Sequence, residues 1–278
     1  MDAADWKQLK KIDAHIHIIP DEVHRANPDA EDVWVYADLE RYRAVMEENH
    51  VEKAVIMPLN DPFLMSMGFT ADDVHRNLFD MKQRSQGRFY TFADLDVRNA
   101  PEESVCFLRR AVDVWKTDGI KVHPNNSGIA ADSPYFDTVY AFAEERGIPV
   151  AIHCYPGREN DLSSADRIVR IAERYPALKL IVCHMGAFEW ERLLPLGCYV
   201  DISAILPVYA RILGIAKTNQ LLRAFGVHRL LFATDYPDSR VLPPNSIYDA
   251  YFEILGQMDF TPREAERIAC GNIRELLG

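Results

Sequence analysis

Eight times along this chain a short, nearly continuous apolar run is followed by a longer amphipathic stretch. The runs are Lys11–Ile18, Lys53–Leu59, Phe89–Asp96, Gly119–Pro124, Pro149–Cys154, Lys179–Met185, Cys198–Ser203 and Arg229–Asp235. They are rich in Val, Ile and Leu, as expected of strands covered on both faces rather than strands with one wet face. The stretches between them carry helical spacing. Leu39, Tyr42, Val45 and Met46 share one stripe of Asp38–His50, and Ala111, Val112 and Trp115 share one face of a helix starting near Pro101. Thr70-Ala-Asp-Asp73 and Thr261-Pro-Arg-Glu264 each place an acid three residues after an N-cap threonine. Further helices are predicted over Tyr135–Arg146, Ala165–Tyr175, Glu189–Leu196 and Ala210–Phe225, closed by Gly147, Pro176, Gly197 and Gly226.

Strand–helix alternation of this kind demands a parallel sheet with right-handed crossovers. Eight units in 278 residues suit a closed barrel of roughly 250 residues better than an open doubly wound sheet. No Gly-x-Gly-x-x-Gly follows the first run and no Walker lysine loop exists, so the nucleotide-binding open sheet has no support. The expected architecture is a single α/β domain over residues 1–278, a (β/α)8 TIM barrel with parallel strands.

Composition narrows the partners. Lys and Arg number 31 against 42 Asp and Glu, a net charge of −11. So acidic a chain lacks the broad basic face that a nucleic acid or an anionic membrane attracts, which leaves a small molecule as the expected partner. The five cysteines, Cys106, Cys154, Cys183, Cys198 and Cys270, are odd in number and form no Cys-x-x-Cys pair; they read as reduced thiols of a cytosolic protein. The first twenty residues hold no signal-peptide core, and no stretch approaches ~18 uninterrupted apolar residues, so a cytoplasmic location is expected. A homodimer is compatible with such a barrel, and nothing in the sequence fixes one.

Barrel enzymes place their chemistry at the C-terminal ends of the strands. There this chain carries Asp13, His15 and His17 on the first run, Lys121 and His123 on the fourth, His153 on the fifth, His184 on the sixth, Asp201 on the seventh and Asp235 on the eighth. Side chains alternate with a period of two. His15 and His17 therefore share a side, Lys121 and His123 turn inward together, and Cys154 and Cys183 point the other way as packing thiols. One histidine in an apolar run is usually structural. A His-x-His pair, two further histidines and an aspartate, each ending a separate predicted strand, make a metal-site pattern. Imidazoles with one carboxylate point to zinc, ahead of iron or manganese, and too few carboxylates converge for calcium.

Asp13-Ala-His-Ile-His17, His153 in VAIHC, His184 in IVCHMG, Ala233-Thr-Asp-Tyr-Pro237 and the closing Cys270-Gly-Asn-Ile273 with Leu276-Leu277 together resemble the amidohydrolase superfamily, over about residues 11–277. The nearest branch is the amidohydrolase-related family, which also contains non-oxidative decarboxylases. The resemblance implies that His15, His17 and His153 are metal ligands and that Asp235 is both ligand and proton acceptor. His184 is then an acid/base or the ligand of a second metal. Lys121 stands where two-metal members carry a carboxylated bridging lysine; as a plain ammonium it would hold a substrate carboxylate or pair with an acid instead, and one metal is the expectation. Asp13 is a candidate for orienting a ligand from behind, with a barrel-floor ion pair as its alternative, and Asp201 is similar. Arg158 and Arg240, following the fifth and eighth runs, are candidate grips for a substrate carboxylate. The segment Ile18–Ala37, with Trp34 and Tyr36, is a candidate pocket wall.

The reaction expected is hydrolysis of an amide or ester/lactone bond of a small, anionic molecule by a metal-activated water. The alternative is metal-dependent, non-oxidative decarboxylation of a small unsaturated or aromatic acid. Some decarboxylases of the family replace the first histidine of His-x-His with a carboxylate, whereas His15 is intact. A non-catalytic barrel that binds a metal or metabolite is the third reading.

Overall fold

A computed structural model describes residues 4–21, 36–60, 70–158, 160–238 and 240–278; Trp34 lies outside them. Eight parallel strands follow one another in the order β1 to β8: Lys11–Ile16, Val51–Ile56, Phe89–Ala93, Gly119–Val122, Val150–Ile152, Leu180–Val182, Tyr199–Asp201 and Leu230–Leu231. With helices between successive strands, this is a (β/α)8 barrel, as the alternation predicts. The apolar runs outlast the ladders. Phe89–Asp96 is buried at every residue but the half-buried Tyr90, yet its strand ends at Ala93. Burial, which the run reports, continues where the ladder stops. By internal contacts the chain forms two compact units, one of Met1–Val55 with Val200–Gly278 and the other of Ile56–Tyr199.

In the first unit, β8 and the residues after it pair with β1. Ala14 N–H donates to Phe232 O at 2.9 Å, Asp235 N–H to His15 O at 2.9 Å, and His17 N–H to Tyr236 O at 2.8 Å. Side chains packed behind this pairing include Trp6, whose ring stacks on Phe232 at 6.3 Å, with Tyr42 and Tyr251 fully buried. Lys11 is buried too. Its ammonium donates to Trp6 O at 2.8 Å and sits 4.6 Å from the Phe252 ring centre, while burial lowers its pKa to about 8. The helix expected over Ala210–Phe225 is instead two helices, Ile205–Leu213 and Ile215–Phe225. Gly214 divides them at φ 76°, a left-handed conformation that ends the first helix. Thr261 accepts from Glu264 N–H and completes the expected capping box.

In the second unit, Ile120 of β4 pairs with Val150 of β5, which pairs with Leu180 of β6. Gly119 is required by the approach of β3: a Cβ there would meet the Phe92 ring at 2.5 Å. The helices Ala71–Arg84 and Pro101–Asp113 start where expected, the second ending before Trp115, and Asp137–Arg146 and Ala165–Arg174 lie close to their expected spans. After β6 the chain does not enter the regular helix expected at Glu189. Residues Cys183–Leu193 are irregular and short-turned, and His184, Met185, Gly186 and Ala187 all have positive φ, 58°, 53°, 70° and 45°. Among the described residues, no helix is long and apolar enough to cross a membrane.

Candidate functional site

The β1–β8 pairing in the first unit sets His15 and His17 beside Asp235. The Nε2 atoms of both rings approach one carboxylate oxygen, Asp235 Oδ1, at 3.3 and 3.0 Å. His15, His17 and Asp235 offer three ligand atoms that all lie within 4.8 Å of one another, and all three residues are buried. Asp235 itself has φ 67°. A left-handed aspartate is uncommon, and such backbone is typical where a side chain must be aimed at a site.

Behind His15 stands Asp201, at the end of β7. Its Oδ2 lies 3.0 Å from His15 Nδ1, and Ser203 Oγ lies 3.1 Å from the same nitrogen. A carboxylate only accepts, so it draws the ring proton to Nδ1 and leaves the Nε2 lone pair for a metal. This donor set fits a divalent ion of the zinc or manganese kind: two imidazole nitrogens, a carboxylate oxygen, and a carboxylate orienting one ring.

Asp13 acts on backbone. Its Oδ1 accepts from His15 N–H and Thr234 N–H, both at 3.1 Å, and its Oδ2 from Thr234 Oγ1 and Tyr248 OH, both at 2.6 Å. Full burial pushes its pKa up to about 7 against those four donors. Asp13 therefore fastens the strand that carries His15 to the loop that carries Asp235. The orienting role weighed for both aspartates belongs, by geometry, to Asp201 for the ring and to Asp13 for the main chain.

The second unit gathers a different set. His184 Nε2 lies 3.0 Å from His153 Nδ1, His123 stacks on His153 with ring centres 3.9 Å apart, and Tyr155 meets His184 edge-on at 5.6 Å. His123 Nδ1 accepts from Asn126 N–H at 3.2 Å, which places the ring proton of a neutral His123 on Nε2. Its own N–H donates to Asn60 Oδ1 at 2.6 Å, and Asn60 Nδ2 donates to Asp94. Asp94 is fully buried, which pushes its pKa up to about 6; its N–H donates to His75 Nε2 at 2.9 Å, and burial drives the His75 pKa down to about 4. Asn60, Asp94, His75 and Ser203 do not stand out in the sequence; only Asp94, an acid inside a predicted strand run, carries a signal.

Lys121 is fully buried on β4, with Nζ 3.3 Å from Cys183 Sγ and 3.6 Å from Met57 Sδ. Cys183 thus does not turn away from Lys121 as period-two alternation predicts. The left-handed turn that begins at His184 ends the pleat on which that count depends. Cys154 does behave as a packing thiol, fully buried, its pKa raised well above the ordinary value by burial. Arg158 and Arg240 both lie exposed in loops, with Arg240 N–H bonded to Asp238 Oδ1 at 2.9 Å.

The family model for amidohydrolases matches residues 12–278. The chain belongs to the amidohydrolase family. Among curated proteins, no sequence matches this amidohydrolase significantly. Solved structures of like fold include a TIM-barrel protein of Bordetella bronchiseptica, with 19% identity over 97% of this chain and 98% of that one and a TM-score of 0.75. Another is 5-carboxyvanillate decarboxylase of Novosphingobium aromaticivorans, complexed with manganese and 4-hydroxy-3-methoxy-5-nitrobenzoic acid; it shows 17% identity over 99% and 98% of the chains and a TM-score of 0.71. A probable 2-pyrone-4,6-dicarboxylic acid hydrolase of Acinetobacter baumannii, with citric acid bound, shows 15% identity over 97% and 100% and a TM-score of 0.67. At these identities the likeness establishes the fold of this amidohydrolase, and its neighbours include both a decarboxylase and a hydrolase.

Proposed function

We propose that this amidohydrolase is a metal-dependent hydrolase that cleaves an amide or ester/lactone bond of a small, anionic molecule. The observation that carries the reading is the convergence of His15 Nε2, His17 Nε2 and Asp235 Oδ1, with His15 Nδ1 tied to Asp201. One divalent ion, zinc by donor chemistry, would supply Lewis acidity and a bound water whose pKa falls to about 7. Asp235 would take a proton from the attacking water and return it to the leaving group. His184, held at His153 Nδ1, would donate to the oxyanion that develops at the substrate carbonyl. His153 is proposed as a further ligand, on the family resemblance. The Lys121 ammonium, with Arg158 and Arg240, would hold the substrate's carboxylate, and Asp13 would keep the ligand strand in register.

Decarboxylation of a small aromatic or unsaturated acid is the second reading. The manganese-bound decarboxylase among the structural neighbours favours it; the intact His15 favours hydrolysis. One experiment separates them. The purified protein is analysed for metal, loaded, and screened against esters, lactones, amides and aromatic acids, with proton release and carbon dioxide release scored separately. Substrate loss without carbon dioxide, with proton release from an ester or lactone or amine release from an amide, supports the hydrolase. Stoichiometric carbon dioxide supports the decarboxylase. A metal-loaded protein inert to the whole panel would leave the non-catalytic barrel.

A further inference from the structure

The second unit contains a thiol that neither reaction uses, and it lies against a buried amine. Lys121 Nζ lies 3.3 Å from Cys183 Sγ, within one residue shell of Met57 Sδ at 3.6 Å, and Lys121 and Cys183 are both fully shielded from solvent. The pair comes from separate elements, β4 and the turn after β6, so its closeness is a product of the fold and not of neighbouring sequence. A second buried thiol provides the contrast. Cys154 is equally shielded, and burial raises its pKa and holds it as the unreactive thiol. Held this close, the Lys121 nitrogen is placed to meet the Cys183 sulfur once that sulfur becomes electrophilic.

We propose that Cys183 and Lys121 are a modification site, joined by a nitrogen–sulfur bond when the protein meets hydrogen peroxide and released by thiols. In the first step the Cys183 sulfur takes one oxygen from the peroxide. An S–O bond forms, the O–O bond breaks, and the thiol proton leaves on the second oxygen as water. In the next step the Lys121 ammonium gives a proton to solvent and its freed lone pair attacks the same sulfur. The N–S bond forms, the S–O bond breaks, and hydroxide departs with a proton from nitrogen as water. Sulfenic acids condense with nitrogen in this way when one is held against them. The sum is thiol, ammonium and peroxide giving a sulfenamide, two waters and a proton; sulfur is oxidised and peroxide oxygen reduced. An added dithiol reverses it, regenerating thiol and amine while itself becoming a disulfide. The bond has a second consequence. It removes the Lys121 positive charge, and it protects Cys183 from irreversible oxidation.

The test is peptide mass spectrometry on the full-length protein treated with hydrogen peroxide, digested with trypsin with and without prior dithiothreitol. The expected result is a joined pair of peptides containing Lys121 and Cys183, two hydrogens lighter than their sum and missing after dithiothreitol. Cys154→Ser should keep the joined pair. Lys121→Met should lose it, and its Cys183 should then appear two oxygens heavier, as the sulfinic acid. The proposal is overturned if wild-type Cys183 stays reduced, pairs with Cys154 as a disulfide, or reaches the sulfinic acid while trypsin still cleaves after Lys121. A joined pair carrying an extra oxygen would likewise exclude the direct N–S bond.

Discussion

In the unit built on β1, β2, β7 and β8, the histidine rings of the site face carboxylates: His15 has Asp201 at one nitrogen and Asp235 at the other, and His17 has Asp235. In the unit built on β3 to β6, rings accept from backbone. His75 Nε2 takes the Asp94 N–H and His123 Nδ1 the Asn126 N–H, while His153 and His184 meet each other. The difference is one of charge. An imidazole backed by a carboxylate is a better ligand, because the anion fixes its tautomer and raises its basicity. An imidazole that accepts an N–H is held neutral and can take a proton there only by breaking that bond. The first group is built to hold a cation. In the second, His75 and His123 accept backbone N–H groups that fix their orientations.

The largest effect expected from this contrast is at Asp235. Asp235→Asn keeps the size and one oxygen but loses the proton acceptor, so turnover of the substrate found by the screen should drop by ~10²–10⁴-fold with metal largely retained. Near-normal turnover would remove Asp235 from the chemistry.

The next effect sharpens the division of labour between the two aspartates. Asp201→Ala should weaken metal binding by roughly 10–100-fold in competition with a chelator, since Asp201 orients the His15 ring. Asp13→Ala should act mainly on folding. It strands four donors, each buried group costing about 1–3 kcal/mol when unpaired, and the loss should appear as a lower urea midpoint. If Asp13→Ala weakened metal binding as much as Asp201→Ala without loss of stability, the assignment of ring to Asp201 and backbone to Asp13 would fail.

A further effect probes the buried His75 ring of the second unit through pH. Burial holds the His75 pKa near about 4, below its ordinary 6.5. Between those values the unfolded chain takes a proton that the native ring refuses, so stability falls as pH falls, by up to about 3 kcal/mol at 1.36 kcal/mol per pKa unit. Asp94, raised to about 6 from 3.8, works the other way over an overlapping range: its native carboxyl keeps a proton the unfolded chain has lost, a contribution that is lost as pH rises through that range. Comparison with His75→Gln cancels the Asp94 contribution. The stability advantage of wild type over His75→Gln in urea titrations should shrink from pH 6.5 toward pH 4, and a constant difference would mean that His75 is not held neutral.

The barrel and much of the first group were legible in the sequence because both rest on local periodicity. Apolar runs and caps mark the strand–helix units, and His15-Ile-His17 shows by spacing alone that two rings share a side. What escaped has particular physical causes. The helix Ile247–Gly256, which supplies Tyr248 to Asp13, has no side-chain cap at Ser246 to announce it. The break at Gly214 looks, in sequence, like one tolerated glycine inside a helix. Cys183 defeated the alternation rule because the next four residues are left-handed and the pleat no longer sets the side-chain direction. The Asp201–His15 and Asp94–Asn60 contacts join residues far apart in the chain, and pairing at that distance leaves no mark on either partner alone.

The central claim is that His15, His17 and Asp235 hold a divalent metal, and metal analysis by mass spectrometry of the purified protein tests it most directly. Wild type should carry roughly one equivalent of zinc-type ion after loading and desalting, as a site with protein nitrogen and oxygen ligands retains. The double variant His15→Ala/His17→Ala should carry none while its circular dichroism and urea midpoint show a folded barrel. Full metal occupancy in that folded double variant would contradict the account.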